Sequence, residues 1–147
     1  MKYVILDIDG CCLDNAERID HLHAGDLETF YLEWEKDKPI EQGVLVYSML
    51  MDNPEIECVF VTARPEQVRL QTLAHLNILF GVQRMEKCKL LMRPNKDQRI
   101  DTELKLNLIL ESCIDFKDVF LCFDDRLSVI EAYRNNGMVA YQTNAGW

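Results

Sequence analysis

The chain has 147 residues, 48% of them hydrophobic, and a formal net charge of −9. That length and apolar content suffice for one self-sufficient domain and would leave two cramped. The acidic balance excludes a protein that grips long nucleic acid across a broad basic face, because such affinity comes from Lys and Arg neutralising phosphates; a local basic pocket is still compatible with it.

The opening MKYVILDIDG places charges inside what would have to be the apolar core of a signal peptide. No apolar run approaches the ~18 residues that suggest a membrane span, so a cytoplasmic protein is expected. Six cysteines (Cys11, Cys12, Cys58, Cys88, Cys113 and Cys122) include no CxxC pair. The adjacent Cys11 and Cys12 cannot readily bridge each other, so reduced thiols are expected.

In chain order, the first candidate strand is Tyr3–Ile8. The stretch 14–43 then interrupts the rhythm. Its middle, Asp26–Asp37, predicts a helix with Leu27, Phe30, Tyr31 and Trp34 towards one face, stopped by Pro39. Such a stripe is usually core, but this one follows the most charged strand end, and 14–43 reads as a small helical insert or lid. A strand is expected at Glu57–Thr62, then a helix at Pro65–Asn77 with Pro in its first turn. A strand at Cys88–Met92 precedes a helix at Asp101–Cys113 with an acidic start. Val119–Phe123 is the fourth strand, Arg126–Asn135 a helix stopped at Asn136-Gly137, and Met138–Gln142 the fifth strand. Cys58, Cys88 and Cys122 fall within these strands as small core residues. Short β-branched runs alternating with helical patterns describe an α/β fold built on a mostly parallel sheet.

In an open parallel sheet, ligands bind beyond the carboxyl ends of the strands. Asp7 and Asp9 fall at the end of the first strand, Thr62 and Arg64 at the second, Asp124 and Asp125 at the fourth. Either acidic pair alone could serve as turn formers or a helix cap. Four carboxylates at one sheet edge repel, and the usual remedy is a hard divalent cation held by carboxylates, water and phosphate oxygens. Lys105 by itself reads as the exposed face of a leucine-rich helix. His21, His23 and His75 form no metal-ligand pattern.

The motifs Asp7-Ile8-Asp9-Gly10, Val59-Phe60-Val61-Thr62, Lys105 in Glu103-Leu104-Lys105, and Phe123-Asp124-Asp125-Arg126 resemble, in order and separation, the four motifs of haloacid dehalogenase (HAD) phosphatases. That resemblance implies a Rossmann-like core with helices on both faces of the sheet and the nucleophile on the central strand. Arg18, Arg64-Pro65-Glu66, Leu91-Met92-Arg93-Pro94, and Asp97, Arg99, Asp101 and Lys105 narrow it to the 3′-phosphatase domain of phage-type polynucleotide kinase/3′-phosphatase and its stand-alone relatives. No GxxxxGK[ST] phosphate loop occurs, so no 5′-kinase activity is carried over.

The resemblance implies a Mg²⁺-dependent phosphomonoesterase that forms an aspartyl-phosphate and removes 3′-phosphates from nucleic acid ends or nucleotides. Asp7 is then the nucleophile and Asp9 the acid and base, with Thr62 and Lys105 on the phosphoryl oxygens. Asp7, the Asp9 carbonyl, Asp124 and Asp125 form the metal set; the resemblance favours Asp124 over Asp125 as the direct ligand, with Asp125 then holding a coordinated water, and leaves the choice between the two open. Arg18, Arg64, Asp101 and Arg126 face the substrate, and Arg99 is a further basic candidate. Cys11 stands where the family commonly has Thr, a weaker hydrogen-bond donor in that loop. Cys11 and Cys12 lack the glycine-rich anion loop of a cysteine phosphatase. Two alternatives stand beside this reading: a general nucleotidase or small-molecule phosphatase, and a non-catalytic HAD-like binding domain.

Overall fold

A computed structural model of the chain describes residues 1–144. Five parallel strands, β1 (Lys2–Leu6), β4 (Ile56–Pro65), β5 (Lys89–Arg93), β6 (Val119–Asp124) and β7 (Ala140–Gln142), form one sheet in the order β5-β4-β1-β6-β7. β1 lies in the middle, paired on both sides by strands that arrive through helical crossovers. Period-two alternation in β1 sends Val4 and Leu6 to one face and Ile5 to the other. The first face packs with Tyr47 of α3 (Glu41–Met51) and with Leu76 and Phe80 of α4 (Arg69–Phe80). The second packs with Leu104 and Ile109 of α6 (Asp101–Glu111) and with Val129, Ile130 and Tyr133 of α7 (Leu127–Asn135). Both faces of the sheet are therefore covered, which is why its strands read as continuous apolar runs.

Between β1 and α3, the chain makes a two-stranded antiparallel pair, β2 (Leu13–Asp14) with β3 (Lys38–Pro39). Two short helices, α1 (Ile19–His23) and α2 (Leu27–Leu32), lie between those strands. The helix expected over Asp26–Asp37 is thus divided: α2 ends at Leu32 and a 3₁₀ turn takes Trp34–Lys36. The Asp26 side chain accepts the Thr29 N–H and caps α2.

Other boundaries moved for local reasons. β1 ends at Leu6 rather than Ile8 because the Ile8 carbonyl turns to accept the N–H groups of Cys11, Cys12 and Leu13. Pro65 closes β4 instead of opening a helix; a 3₁₀ turn (Glu66–Val68) precedes α4, which runs on to Phe80 before Gly81 at φ 85°. α5 (Val82–Met85) is a single turn, and Cys88 lies just outside β5, half-buried. Helix α3 has no counterpart in the sequence reading, since its run V-L-V-Y-S-M-L-M is apolar without a clean period. Its first turn carries Gly43, where a Cβ would come within 1.8 Å of the Cys11 carbonyl oxygen, so only glycine lets α3 lie against the loop that follows Asp7.

Candidate active site

The carboxyl ends of β1, β4 and β6 converge under the α1–α2 segment, enclosing a cavity of about 360 Å³. Asp7, Asp9, Thr62, Arg64, Asp101, Lys105, Asp124, Asp125 and Arg126 all line it. Asp7 leaves the end of the central strand with its backbone pinned twice: its N–H donates to the Phe123 carbonyl, and its carbonyl accepts the Tyr47 hydroxyl at 2.9 Å.

Lys105, one turn into α6 and only 4% exposed, reaches across the sheet end. Its ammonium donates to Asp7 Oδ1 at 2.9 Å and Asp124 Oδ2 at 2.6 Å. Burial alone would lower the Lys105 pKa, but the Asp7 and Asp124 charges outweigh it and hold the group well above the ordinary lysine value. Lys105 is therefore a buried cation, not the exposed residue that its helix alone suggests. Burial and the neighbouring Asp124 push Asp7 well above the usual carboxylate range despite the lysine. Burial, again with Asp124, lifts Asp125 to about 6. One ammonium among these acids leaves an excess of negative charge.

Asp7 Oδ, Asp125 Oδ and Cys11 Sγ lie within 4.8 Å of one another. Both Asp124 oxygens are engaged, one by Lys105 and the other by the Arg126 N–H. Gly10, at φ 78°, completes this geometry: a Cβ there would sit 2.2 Å from Asp125 Oδ2. The donor set and its excess charge fit a hard divalent cation, with the Cys11 sulfur the one soft atom beside it.

Asp9 faces a different partner. Arg64, from the end of β4, grips both its oxygens, at 2.9 Å and 2.6 Å. Burial pushes Asp9 up, but the Arg64 charge and hydrogen bonds prevail and hold its pKa below the ordinary value. Arg64 also donates to Asp37 at 3.1 Å. Asp37, buried at the end of the insert, in turn receives two hydrogen bonds from Arg18, at 2.5 Å and 2.7 Å. The remaining Arg18 nitrogen donates to the Phe30 carbonyl, and its guanidinium lies 4.2 Å from the centre of the Phe30 ring. Arg18 is thus buried behind the cavity wall, in a chain Arg18–Asp37–Arg64–Asp9 that joins the insert to the sheet end.

Asp101, the first residue of α6, holds two arginines at the cavity: Arg126 at 2.5 Å and Arg93 at 2.7 Å. Arg99 turns away to Asp97 and Glu111, outside the cavity lining. His75 packs its ring against Trp34, centroids 5.3 Å apart. Cys11 is buried with its sulfur 3.1 Å from the Thr143 hydroxyl, which donates to the Gly10 carbonyl at 3.2 Å. Burial, then Asp7, raises the Cys11 thiol pKa far above its ordinary value, which is the reverse of what a cysteine nucleophile needs.

Sequence reasoning missed Asp37, Tyr47, Arg93 and Thr143. Arg93 stood inside a quoted motif, the one local signal among the four. The others act through partners 19 to 133 residues away, which no local pattern reveals.

A family model described as the phosphatase domain of polynucleotide kinase PNKP matches residues 1–147. The chain belongs to this family. No curated protein matches it. Among solved structures, two from the Pnkp1/Rnl/Hen1 RNA repair complex are similar at 22% identity, with TM-scores of 0.70 and 0.72. Each covers 99% of this chain, and the chain spans 43% and 47% of theirs, less than half the length of those proteins. A HAD-superfamily hydrolase, subfamily IA, variant 1, from Geobacter sulfurreducens PCA shares the fold at TM-score 0.60 and 13% identity, covering 97% of this chain and 86% of its own. The chain is an α/β phosphatase domain of the HAD type. Among the described residues, no helix is long and apolar enough to cross a membrane.

Proposed function

We propose that this domain is a Mg²⁺-dependent phosphomonoesterase in the cytoplasm that transfers the phosphoryl group to Asp7 and acts on 3′-phosphates of nucleotides or nucleic acid ends. One observation carries the chemistry: Asp7, fixed at the end of the central strand, opens into the cavity between the Lys105 ammonium and the Asp125 carboxylate. The residues that would hold the metal are Asp7, the Asp9 backbone carbonyl, Asp124 and Asp125. Bound Mg²⁺ supplies the positive charge that cancels repulsion between carboxylate and phosphate dianion.

Asp7 attacks phosphorus in line with the leaving oxygen, so that the O–P bond to Asp7 forms as the ester O–P bond breaks. Lys105 and the Thr62 hydroxyl stabilise the charge on the phosphoryl oxygens; Thr62 Oγ1 accepts the Arg64 N–H, leaving its own proton to donate. Protonated Asp9 gives its proton to the departing ester oxygen, which leaves as a hydroxyl, and the resulting carboxylate takes a proton from the water that hydrolyses the aspartyl-phosphate. Arg64 favours the ionised form of Asp9, which is the form that the second step requires, so the first step draws on the protonated minority of Asp9. Arg64, Arg93 and Arg126 supply local positive charge on an acidic protein, where a substrate phosphate or sugar-phosphate backbone would lie. Arg18, expected to face the substrate, is buried behind the wall with its nitrogens on Asp37 and the Phe30 carbonyl, and we assign it a positioning role through Asp37 and Arg64.

The 3′ preference rests on the family resemblance and on the neighbours' place in RNA repair complexes. It is tested by kcat/KM for matched nucleoside 3′- and 5′-monophosphates and a 3′-phosphorylated oligonucleotide, with Mg²⁺ and with EDTA. Higher values for the 3′ isomer are expected. Equal values or a 5′ preference would move the assignment to a general nucleotidase, and no hydrolysis of any ester would leave a binding domain.

A further inference from the structure

We infer that the insert side of the cavity is a stacking site for the leaving group's nucleobase, with Tyr31 as its principal contact, so that the substrate is a phosphate ester of a nucleoside rather than of a polyol; this rests on the phosphatase reading above. The two sides of the cavity differ in kind. The sheet side presents carboxylates, Lys105 and arginines, all that a phosphate and its metal require. The insert side presents Ile19 and Leu22 of α1 and Phe30 and Tyr31 of α2. A phosphate needs no apolar surface, and an apolar wall facing water is unfavourable, so that wall marks the character of the group attached to the phosphate. A polyol brings many hydroxyls that must each be repaired when desolvated. Among the described residues, this side supplies polar side chains only from Asn15, His23 and Tyr31. A flat base buries its faces against apolar side chains and keeps its edge for those few partners.

The wall is also held rigid in advance. The Tyr31 ring meets Phe30 edge-on, centroids 5.3 Å apart. Phe30 lies over the Arg18 guanidinium, which Asp37 fixes through two hydrogen bonds. Tyr31 is half-buried and lines the cavity. An aromatic ring set in place beforehand binds a base without the cost of ordering a free side chain. At about 360 Å³ the space stands near the small end of ligand sites, roughly 300–1,000 Å³, which suits one terminal nucleotide rather than a duplex.

The test compares kcat/KM for adenosine 3′-monophosphate with that for glycerol 2-phosphate, in wild type, Tyr31→Phe, Tyr31→Ala and Leu22→Asn, each checked by circular dichroism and thermal melting. Adenosine without phosphate is titrated calorimetrically into the same proteins. The wild type is expected to prefer the nucleotide, Tyr31→Phe to keep that preference, and Tyr31→Ala to reduce the ratio about tenfold, the scale of losing one base–aromatic stack. Leu22, 38% exposed, contributes little to the core, so Leu22→Asn provides a folded test if Tyr31→Ala does not fold, and it should also reduce the ratio. Adenosine should bind wild type and lose affinity in both wall variants. Equal kcat/KM for the two esters in wild type, or an unchanged ratio in the folded wall variants, overturns the inference while leaving the phosphatase intact. If wild type hydrolyses no ester at all, the phosphatase reading fails, and the adenosine titration alone decides the wall: no binding overturns it.

Discussion

Asp7 and Lys105 show how one contact serves opposing demands. As the proposed nucleophile, Asp7 must be ionised and close to other acids, and a single buried ammonium is shared between it and Asp124. Asp7→Asn keeps the shape but removes the attacking oxygen, so turnover should vanish. It also removes one of the carboxylates that share Lys105, so the melting temperature in EDTA should not fall below that of wild type. Retained turnover in the purified, folded variant would take Asp7 out of the nucleophile role. Lys105→Gln acts the other way. It leaves buried carboxylates uncompensated, and losing one member of a buried ion pair costs about 3–5 kcal/mol. Urea unfolding should show a midpoint clearly below wild type alongside lost activity; an unchanged midpoint would mean that the lysine does not neutralise these acids.

The insert behaves as an element locked to the core by buried charge and aromatic contact. Arg18–Asp37–Arg64 ties its end to Asp9, and Trp34 packs on His75 of α4. His75 is buried, and its Nδ1 has no hydrogen-bond partner among the described residues. Burial lowers its pKa below 6.5, only partly opposed by Asp37. A depressed folded pKa means that the unfolded chain takes up the proton first. The neutral imidazole's contribution to stability is thus present above pH ~6.5 and is lost as pH falls through the folded value. His75→Phe keeps a ring against Trp34 without a titrating group. Its melting temperature relative to wild type should therefore rise as pH is lowered from 7.5 to 5.5. A constant difference across that range would show that His75 does not protonate on unfolding.

For the whole molecule, the excess of carboxylates at one end of an acidic protein makes metal binding and stability one question. Mg²⁺ should restore activity lost in EDTA and raise the melting temperature with concentration; binding at 100 times Kd adds about 2.7 kcal/mol. Full activity in protein shown by elemental analysis to be metal-free would refute the metal mechanism. The net charge of −9 also limits contact with a polymer to the few arginines at the cavity. Raising salt from 50 to 200 mM should therefore weaken action on a 3′-phosphorylated oligonucleotide far less than the roughly 10³–10⁵-fold seen for proteins making many phosphate contacts. A steep salt dependence would reveal a polymer track beyond the cavity.

The sequence by itself determined the layered α/β order, because buried parallel strands and crossover helices write their periods locally. It also determined the identity of the acids at the strand ends, because position along a strand places them at one sheet edge. Boundaries moved where a backbone group found another partner, as the Ile8 carbonyl did at the end of β1. Helix α3 was not legible because its apolar residues lack a clean period, and with it went Tyr47 and the fixing of the Asp7 backbone. Only the tertiary structure decided which charges meet. Lys105 is buried because α6 packs over β4 and β5 and its ammonium reaches Asp7 beyond the end of β1; Arg18 lies behind the cavity wall because Asp37, 19 residues on, accepts its fork. Pairings of this kind depend on where distant segments pack, and a local pattern carries no record of them.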